Sequence, residues 1–246
     1  MKEQGSNALR KGLEAGGAPV MWERVVLQGL PKIRQFVPSG SHVLEVGYGD
    51  GRLSCFLCRE LGWQIYGLDM DENAYLSATE QAKSFGIKDR IKFEICSPEE
   101  TQKHQKQYDA VFIKTVIYNS VDSNEYGQWL DWVVSVLKPG GIFINLETGK
   151  ANRGVQLYRK LRGREYKDLS LYTSKEEALY DERFEIIDRR YYGGWSQFFA
   201  PVPILYKAAY KIEEAIKPRN ADNCFVVSII ARKPGDASRK GAKTPN

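Results

Sequence analysis

The sequence VLEVGYGDG, Val43 to Gly51, is the first indication of the fold of this 246-residue chain. An apolar run ends in glycines at alternate positions, Gly47, Gly49 and Gly51, and a helical pattern follows them. A strand, a glycine-rich turn and a helix in this order can hold a nucleotide-like ligand. The turn alone leaves two ligand classes open: a dinucleotide bound through its pyrophosphate, or a nucleoside that carries positive charge.

Seven apolar runs alternate with helical patterns outward from this turn. The runs are HVLEVG, QIYGLD, IKFEI, DAVFI, GIFINLE, RFEIIDRRYY and NCFVVSIIARK. Several are nearly all apolar, which is typical of strands that are covered on both faces. The pattern therefore predicts an α/β fold with a doubly wound, mostly parallel, seven-stranded sheet and helices on both faces.

The remaining segments predict one domain over residues 21–234, between a flexible tail at residues 1–20 and a disordered basic tail at residues 235–246. Two late inserts, residues 148–180 and 193–222, are expected to form a small substrate cap over the carboxyl edge of the sheet. In the second insert, a helix is expected to turn the face with Leu205, Ala209 and Ile212 towards the core. Met21 to Phe36 is predicted to form a helix broken at Gly29 and Pro31.

Composition narrows the partners. The formal net charge of +5 is mild and gathers towards the C-terminus, which disfavours nucleic acid as a partner. With no secretion signal and no apolar run of roughly 18 residues, a cytoplasmic protein is expected. The second insert contains a helix with lysines. This helix is expected to pack over the core, and contact with a membrane surface is the alternative. Cys55 and Cys58 lie in a helical pattern with no second pair, so no metal site is predicted.

Charged residues around the glycine turn separate the two ligand classes. Arg52 stands where a dinucleotide fingerprint has its third glycine, and the carboxylates of Glu45 and Asp50 would repel a pyrophosphate. The same carboxylates suit the ammonium and sulfonium groups of S-adenosylmethionine. Asp69 lies 22 residues after Gly47, near the spacing at which an acidic residue binds a ribose, and is compatible with either ligand.

Four motifs in order, VLEVGYGDGRLS, GLDMD, YDAVFI and LKPGGIFIN, resemble the class I S-adenosylmethionine-dependent methyltransferases. The resemblance is close from Met21 to Leu146 and looser beyond. It implies that Gly47, Gly49 and Gly51 wrap the methionine part of S-adenosylmethionine, with Glu45 and Asp50 near its ammonium group.

The same resemblance implies the remaining cofactor contacts. Asp69 would accept hydrogen bonds from both ribose hydroxyls, and Met70 would pack on the adenine. Ser97 stands where the family often has an acidic residue for the adenine amino group. Ile113 and Lys114 would lie beside the transferable methyl, with Lys114 turned to solvent or to an anionic substrate.

The chemistry is then methyl transfer to a small molecule, most simply to a hydroxyl of a metabolite, a sugar or a lipid-linked intermediate. Glu147 and Tyr118 are the candidate catalytic residues, and Asn119, Tyr192 and Trp195 are weaker candidates for substrate contact. Alternatives are a small-molecule N-methyltransferase, an RNA methyltransferase, an NAD-type oxidoreductase and a non-catalytic cofactor-binding protein.

Overall fold

The computed structural model describes residues 19–103, 106–117, 122–150, 156–157, 171–193, 196, 199, 203–216 and 220–235. The helices are α1 Pro19–Phe36, α2 Arg52–Leu61, α3 Glu72–Ser84, α4 Pro98–Lys103, α5 Ser123–Val136, α6 Ser174–Arg183 and α7 Pro203–Ala215. The strands are β1 His42–Val46, β2 Gln64–Asp69, β3 Ile91–Ile95, β4 Tyr108–Lys114, β5 Leu137–Thr148, β6 Glu185–Tyr192 and β7 Val226–Arg232. Each of the seven predicted strands is therefore present.

All seven strands form one sheet in the order β3-β2-β1-β4-β5-β7-β6. The neighbours among β1 to β5 are parallel, and β7 is antiparallel to both β5 and β6. The predicted doubly wound, mostly parallel sheet is thus confirmed. Strand order reverses at β1, which lies between β2 and β4, and such a reversal opens a crevice at the carboxyl edge of a sheet.

Two apolar layers cover the faces of the sheet, because successive side chains of a strand point to opposite faces. Val43 packs in the layer that contains α1, α2 and α3, together with Trp63. Leu44 packs in the other layer, with Tyr126 of α5 and Tyr180 of α6. Burying one large apolar side chain contributes about 1.5–3 kcal/mol, so these layers hold the strand ends in place.

The N-terminal helix differs from the prediction of a broken one. Helix α1 runs without interruption through Gly29 and Pro31, although Pro31 cannot donate the usual backbone hydrogen bond. Its buried side chains include Val26, Leu30 and Ile33. Packing against the first apolar layer thus holds the helix together through residues that disfavour it.

The described end of the first insert lies against a face of the sheet. Tyr172 forms a bridge with Gly149, and α6 packs beside α5. Tyr172 and Tyr180 are fully buried there. The cap predicted from residues 148–180 therefore stays a prediction that concerns the rest of this insert.

Helix α7 confirms a helix in the second insert but corrects its orientation. Tyr206, Ala209 and Glu213 are buried, whereas Leu205 and Ile212 of the expected inner face are exposed. The tyrosines of the inner side explain the difference, since Tyr206 stacks on its neighbour Tyr210, which hydrogen bonds to α1. Among the described residues, no helix is both long and apolar enough to cross a membrane.

Candidate cofactor site

The register of three parallel strands brings the predicted site residues together. Val46 of β1 pairs with Leu68 of β2 on one side and with Ile113 of β4 on the other. The residues that follow these three, Gly47, Asp69 and Lys114, therefore emerge side by side at the carboxyl edge of the sheet. This edge is where open α/β sheets bind their ligands.

The glycine turn between β1 and α2 has a backbone that other residues rarely adopt. Gly47, Gly49 and Gly51 all have positive φ, at 76°, 54° and 73°. Gly51 has a second constraint, because a Cβ there would lie 2.5 Å from the Cβ of Ala78. Glycine thus permits both the curvature of the turn and the close approach of α3.

Asp69 is fastened to the turn. Its Oδ2 accepts a hydrogen bond from the backbone N–H of Gly49 at 2.8 Å, and its Oδ1 accepts one from Asp71 at 3.1 Å. A carboxylate oxygen has more than one acceptor site, so both oxygens can still accept a hydroxyl proton. The arrangement presents an oriented carboxylate acceptor of the kind that the predicted ribose contact requires.

A buried carboxylate lies beneath the turn. Glu45 is only 3% exposed, and burial raises its pKa from 4.5 to about 7, against the opposing effects of Ser54 and Lys114. Burial also lowers the pKa of Lys114, although the charges of Glu45, Asp50 and Glu147 favour the ammonium form. A carboxylic acid whose pKa lies near 7 can ionise when a cation approaches it. The ammonium group of a ligand would therefore favour the carboxylate form of Glu45.

Asp50 is engaged locally. Its Oδ1 accepts a hydrogen bond from the backbone N–H of Arg52 at 3.2 Å, and its Oδ2 lies 3.4 Å from Nε of Arg52. The two side chains are partly exposed, so a bound ligand can compete for this carboxylate. The ammonium contact predicted for Asp50 stays a prediction.

The adenine side of the predicted site is open. Met70 is 68% exposed, so its side chain is accessible for the predicted packing on the adenine. Ser97 caps α4: its Oγ accepts from the N–H of Glu100, whose carboxylate accepts from the N–H of Ser97. The side chain of Ile113 is fully buried in the second apolar layer, so its backbone is the part that can face a ligand.

The candidate catalytic and substrate residues are spread over the structure. Glu147, at the end of β5, is fully buried, and its Oε1 accepts from the N–H of Thr148 at 2.9 Å. Tyr192 ends β6, an edge strand, and its hydroxyl donates to Gln28 of α1 at 3.3 Å. Tyr118, Asn119 and Trp195 lie outside the described residues. Their roles stay predictions.

Sequence reasoning missed the loop after β4. Thr115 has a positive φ of 54°, which is rare for a β-branched residue, and its N–H donates to the carbonyl of Leu146 at 2.8 Å. The next residue, Val116, lies against Gly47, where a Cβ would come within 2.3 Å of its Cγ2. No sequence signal marks a threonine in this conformation.

Tyr48 was also missed, although a signal for it exists. Its ring packs against Phe93, with centroids 4.5 Å apart, and its hydroxyl donates to the carbonyl of Glu94. A Cβ on Gly67 would lie 2.9 Å from the Tyr48 ring. A glycine inside a strand often marks such a close approach, so Gly67 could have located the partner of this loop residue.

The two cysteines of the C-x-x-C motif are structural. Cys55 and Cys58 are fully buried in the first apolar layer, and Cys58 Sγ donates to the carbonyl of Trp63. Burial raises the pKa of Cys55 to about 12, so its thiol stays protonated. In the described ranges, no group of three or more metal-ligating side chains comes together.

Comparison with known proteins finds methyltransferases among the relatives of this chain. Residues 43–141 match the family model described as a methyltransferase domain. Methyltransferase GfsG of Streptomyces halstedii is 26% identical over 105 residues, which cover 43% of this chain and 37% of that protein. The ubiquinone/menaquinone biosynthesis C-methyltransferase UbiE of Rickettsia rickettsii is 29% identical over 127 residues, half of each chain. Phosphoethanolamine N-methyltransferase 1 of Zea mays is 25% identical, over 54% of this chain and 26% of that protein.

Solved structures share the fold. A methyltransferase from Methanosarcina mazei superposes with a TM-score of 0.60 at 20% identity, covering 84% of this chain and 98% of that one. Phosphoethanolamine N-methyltransferase 2 of Haemonchus contortus, solved with S-adenosyl-L-methionine, gives 0.57 at 18% identity over 84% and 52%. The [4+2]-cyclase SpnF gives 0.56 at 20% identity over 83% and 80%.

Residues 43–141 therefore match a methyltransferase domain, and the strand order agrees with the resemblance to the class I S-adenosylmethionine-dependent methyltransferases. This chain spans half or less of the length of the curated relatives that it matches.

Proposed function

We propose that the protein transfers a methyl group from S-adenosylmethionine to a small molecule. One observation carries this proposal: Asp69 is fastened to Gly49 in a turn of positive-φ glycines, at the point where the strand order reverses. The turn offers backbone N–H groups, and the buried Glu45 offers a carboxylate for a cation. Together they match the opposite charges of an amino acid that is linked to a nucleoside.

An NAD-type oxidoreductase is the first rival class. Arg52, in place of the third fingerprint glycine, begins α2, and its side chain is paired with Asp50. A pyrophosphate at this helix N-terminus would meet the Asp50 carboxylate, which opposes it. Calorimetric titration separates the two classes, because we expect S-adenosylmethionine to bind and NAD to leave no heat signal.

A cofactor-binding protein without methyl transfer is the second rival. The cyclase among the structural neighbours shows that this fold accommodates other chemistry. Transfer of a radiolabelled methyl group from S-adenosylmethionine to any member of a panel of small alcohols, phenols, amines and activated carbon acids would support our proposal. Cofactor binding with no transfer to any of them would favour the rival.

We propose a hydroxyl oxygen as the methylated atom. A hydroxyl loses its proton on methylation, and Glu147 at the end of β5 is a carboxylate near the crevice that could receive it. The N- and C-methyltransferases among the relatives make amine nitrogen and carbon the competing acceptors. Mass spectrometry and NMR of the product identify the atom. Glu147→Gln should slow transfer to a hydroxyl more than transfer to an amine that is already neutral.

A lipid surface is a candidate location for this chemistry. Outward-facing aliphatic side chains follow the exposed side of α7: Ile204 at 81%, Leu205 at 50%, Ile212 at 52% and Ile216 at 68% exposure. The exposed Lys211 borders this stripe, and the chain has a net charge of +5. A helix with aliphatic residues and lysine on its outer side suits the interface of an anionic bilayer.

Sedimentation with phosphatidylserine-containing vesicles tests this contact. We expect the protein to sediment with the vesicles, and the Ile204→Asp/Ile212→Asp variant to remain in solution. Leu76→Asp/Ile95→Asp is the matched control with the same change of charge, because both side chains are exposed, at 62% and 46%, and neither belongs to α7. Equal sedimentation of the two variants would exclude α7 as the contact, as would absence of wild-type binding.

A further inference from the structure

The amino edge of the sheet, opposite the cofactor site, carries a depression of about 440 Å³. The first residues of four strands line it: His42 of β1, Gln64 of β2, Ile91 of β3 and Tyr108 of β4. A strand of the length of β1 separates the two edges by about 16 Å. The depression is therefore distinct from the crevice that holds the glycine turn.

Cationic side chains dominate the lining. Five cations line the depression together with one carboxylate, that of Asp89; the cations are Lys88, Arg90, Lys92, Lys106 and Lys138. Positive charges that gather around a concave surface raise the local concentration of anions. The chain has only a mild net charge of +5, so this concentration of positive charge is local.

Two of these cations are neutralised by neighbouring carboxylates. Lys138 Nζ lies 2.6 Å from Oδ1 of Asp109, and Lys92 Nζ lies 3.4 Å from Oε2 of Glu94. Burial alone would raise the pKa of Asp109, but the hydrogen bonds from Lys138 and from the His42 N–H outweigh it and keep the pKa below its usual value. These pairs leave Lys88, Arg90 and Lys106 for a ligand.

Lys88 and Lys106 have no ion-pair partner among the residues that the structure describes. Lys106 Nζ instead lies 5.8 Å from the centroid of the Tyr66 ring, and Lys92 Nζ lies 5.0 Å from the same centroid. Two ammonium groups thus converge on one ring. The ring attracts each of them, and an anion that contacts Lys106 would not have to displace a carboxylate of the described residues from it.

Two stacked tyrosine rings line the depression. The ring of Tyr66 lies nearly parallel to that of Tyr108, at 13° and with centroids 6.5 Å apart. The Tyr66 hydroxyl donates to the Glu94 carboxylate, and burial together with this bond raises the pKa of Tyr66 to about 12. Tyr66 therefore adds no negative charge that would oppose an anion.

We propose that this depression binds a small molecule that carries two or more phosphate groups. Its volume lies within the range of about 300–1,000 Å³ that is usual for small-ligand sites. Several separate ammonium groups suit an oligophosphate, whose charges are also separate, better than a single carboxylate. The five cations are gathered in one place, whereas an RNA strand would require a stripe of them along the surface.

Calorimetric titration of the 246-residue protein with inorganic triphosphate and with ATP, both without divalent cations, tests the site. We expect binding that weakens as salt is raised, and affinity that falls about tenfold or more in Lys88→Ala/Lys106→Ala. A matched control with the same loss of charge is Lys83→Ala/Lys175→Ala, since both lysines are exposed and neither lines the depression. Tighter binding of ATP than of triphosphate would assign the ligand class to nucleotides, and equal binding would assign it to bare oligophosphates.

Two results would overturn the proposal. One is the absence of binding by either probe at low salt. The other is an equal loss of affinity in the two double variants, because a general charge effect would produce it. S-adenosylmethionine titrated into each variant reports on folding and on the cofactor site independently, and its affinity should be the same in all three proteins.

Discussion

Oδ2 of Asp69 accepts a 2.8 Å hydrogen bond from the backbone N–H of Gly49, so the end of β2 and the turn after β1 form one unit. The carboxylate would therefore act on the cofactor in two ways. It offers acceptor sites to a ribose, and it holds the turn that would surround the methionine part of the cofactor.

Replacing this carboxylate should weaken cofactor binding. Asp69→Asn keeps the shape of the side chain but removes the charge and half of the acceptor capacity. We expect the affinity for S-adenosylmethionine to fall about tenfold or more by calorimetry. Asp71→Asn is the control, since Asp71 caps α3 with a single accepted bond and asparagine caps equally well. Equal affinities of wild type and Asp69→Asn would refute the ribose assignment.

The stability of the protein should depend on Glu45 near neutral pH. The pKa of Glu45 in the folded protein, about 7, lies above its ordinary value of 4.5, so the folded state holds the proton more tightly. Its stabilising contribution is full below that ordinary value and is lost as the pH rises through about 7. We expect this loss to reach about 2–3 kcal/mol between about pH 5 and 8, measured by chemical denaturation.

Glu45→Gln should remove this part of the pH dependence and be the more stable protein at alkaline pH, while binding S-adenosylmethionine more weakly. Glu182→Gln, at a side chain that is 66% exposed, should retain the wild-type slope. A Glu45→Gln variant with the wild-type pH profile would contradict the burial argument.

The glycines of the turn should differ in their tolerance of alanine. Gly49 and Gly51 both have positive φ, but a Cβ on Gly49 meets nothing within 4 Å, whereas one on Gly51 meets Ala78 at 2.5 Å. Gly49→Ala should therefore cost only the backbone strain of about 1–2 kcal/mol. Gly51→Ala should lower the free energy of unfolding by clearly more, because the backbone of α3 must move. Equal losses of unfolding free energy in the two variants would mean that α3 can move away from the added Cβ without a free-energy cost.

Thr115 should carry measurable backbone strain. Its φ of 54° is unfavourable for a side chain with a branched Cβ, and glycine relieves this strain. Thr115→Gly should exceed Thr115→Ala in free energy of unfolding by about 1 kcal/mol, since both lose the hydroxyl and only glycine accepts the conformation. If alanine were the more stable variant, the loop after β4 would have to adopt a different backbone.

Local periodicity made most of the fold predictable. Strands such as DAVFI and GIFINLE are apolar at every or nearly every position, and turn glycines separate helices from strands, so the element order followed from short windows. In the same way, alternate glycines and the spacing to Asp69 predicted a cofactor site at the edge where Gly47, Asp69 and Lys114 lie side by side. These signals depend on neighbouring residues only.

Other features depend on contacts between distant segments. The outward face of α7 could not be predicted, because Tyr206 and Ile212 offer comparable apolar surfaces and a tertiary contact, that of Tyr210 with Gln28, favours one of them. Helix α1 survives Pro31 for a similar reason, since the core holds its buried face. The strained Thr115 follows from the position of Val116 against Gly47, which no local pattern encodes.

The pairing of Val46 with both Leu68 and Ile113 separates the part of the chain that carries the predicted cofactor residues from a part that evolution could change more freely. The residues predicted to contact the cofactor all lie within the matched residues 43–141. Of the later strands only β5 pairs in this register, with Asn145 beside Ile113 and Leu146 beside Lys114. The segment after β5 could therefore be exchanged for one that binds a new acceptor while β1 to β5 keep the register of the cofactor edge, and a chimaera joined just after β5 would test this exchange in the laboratory.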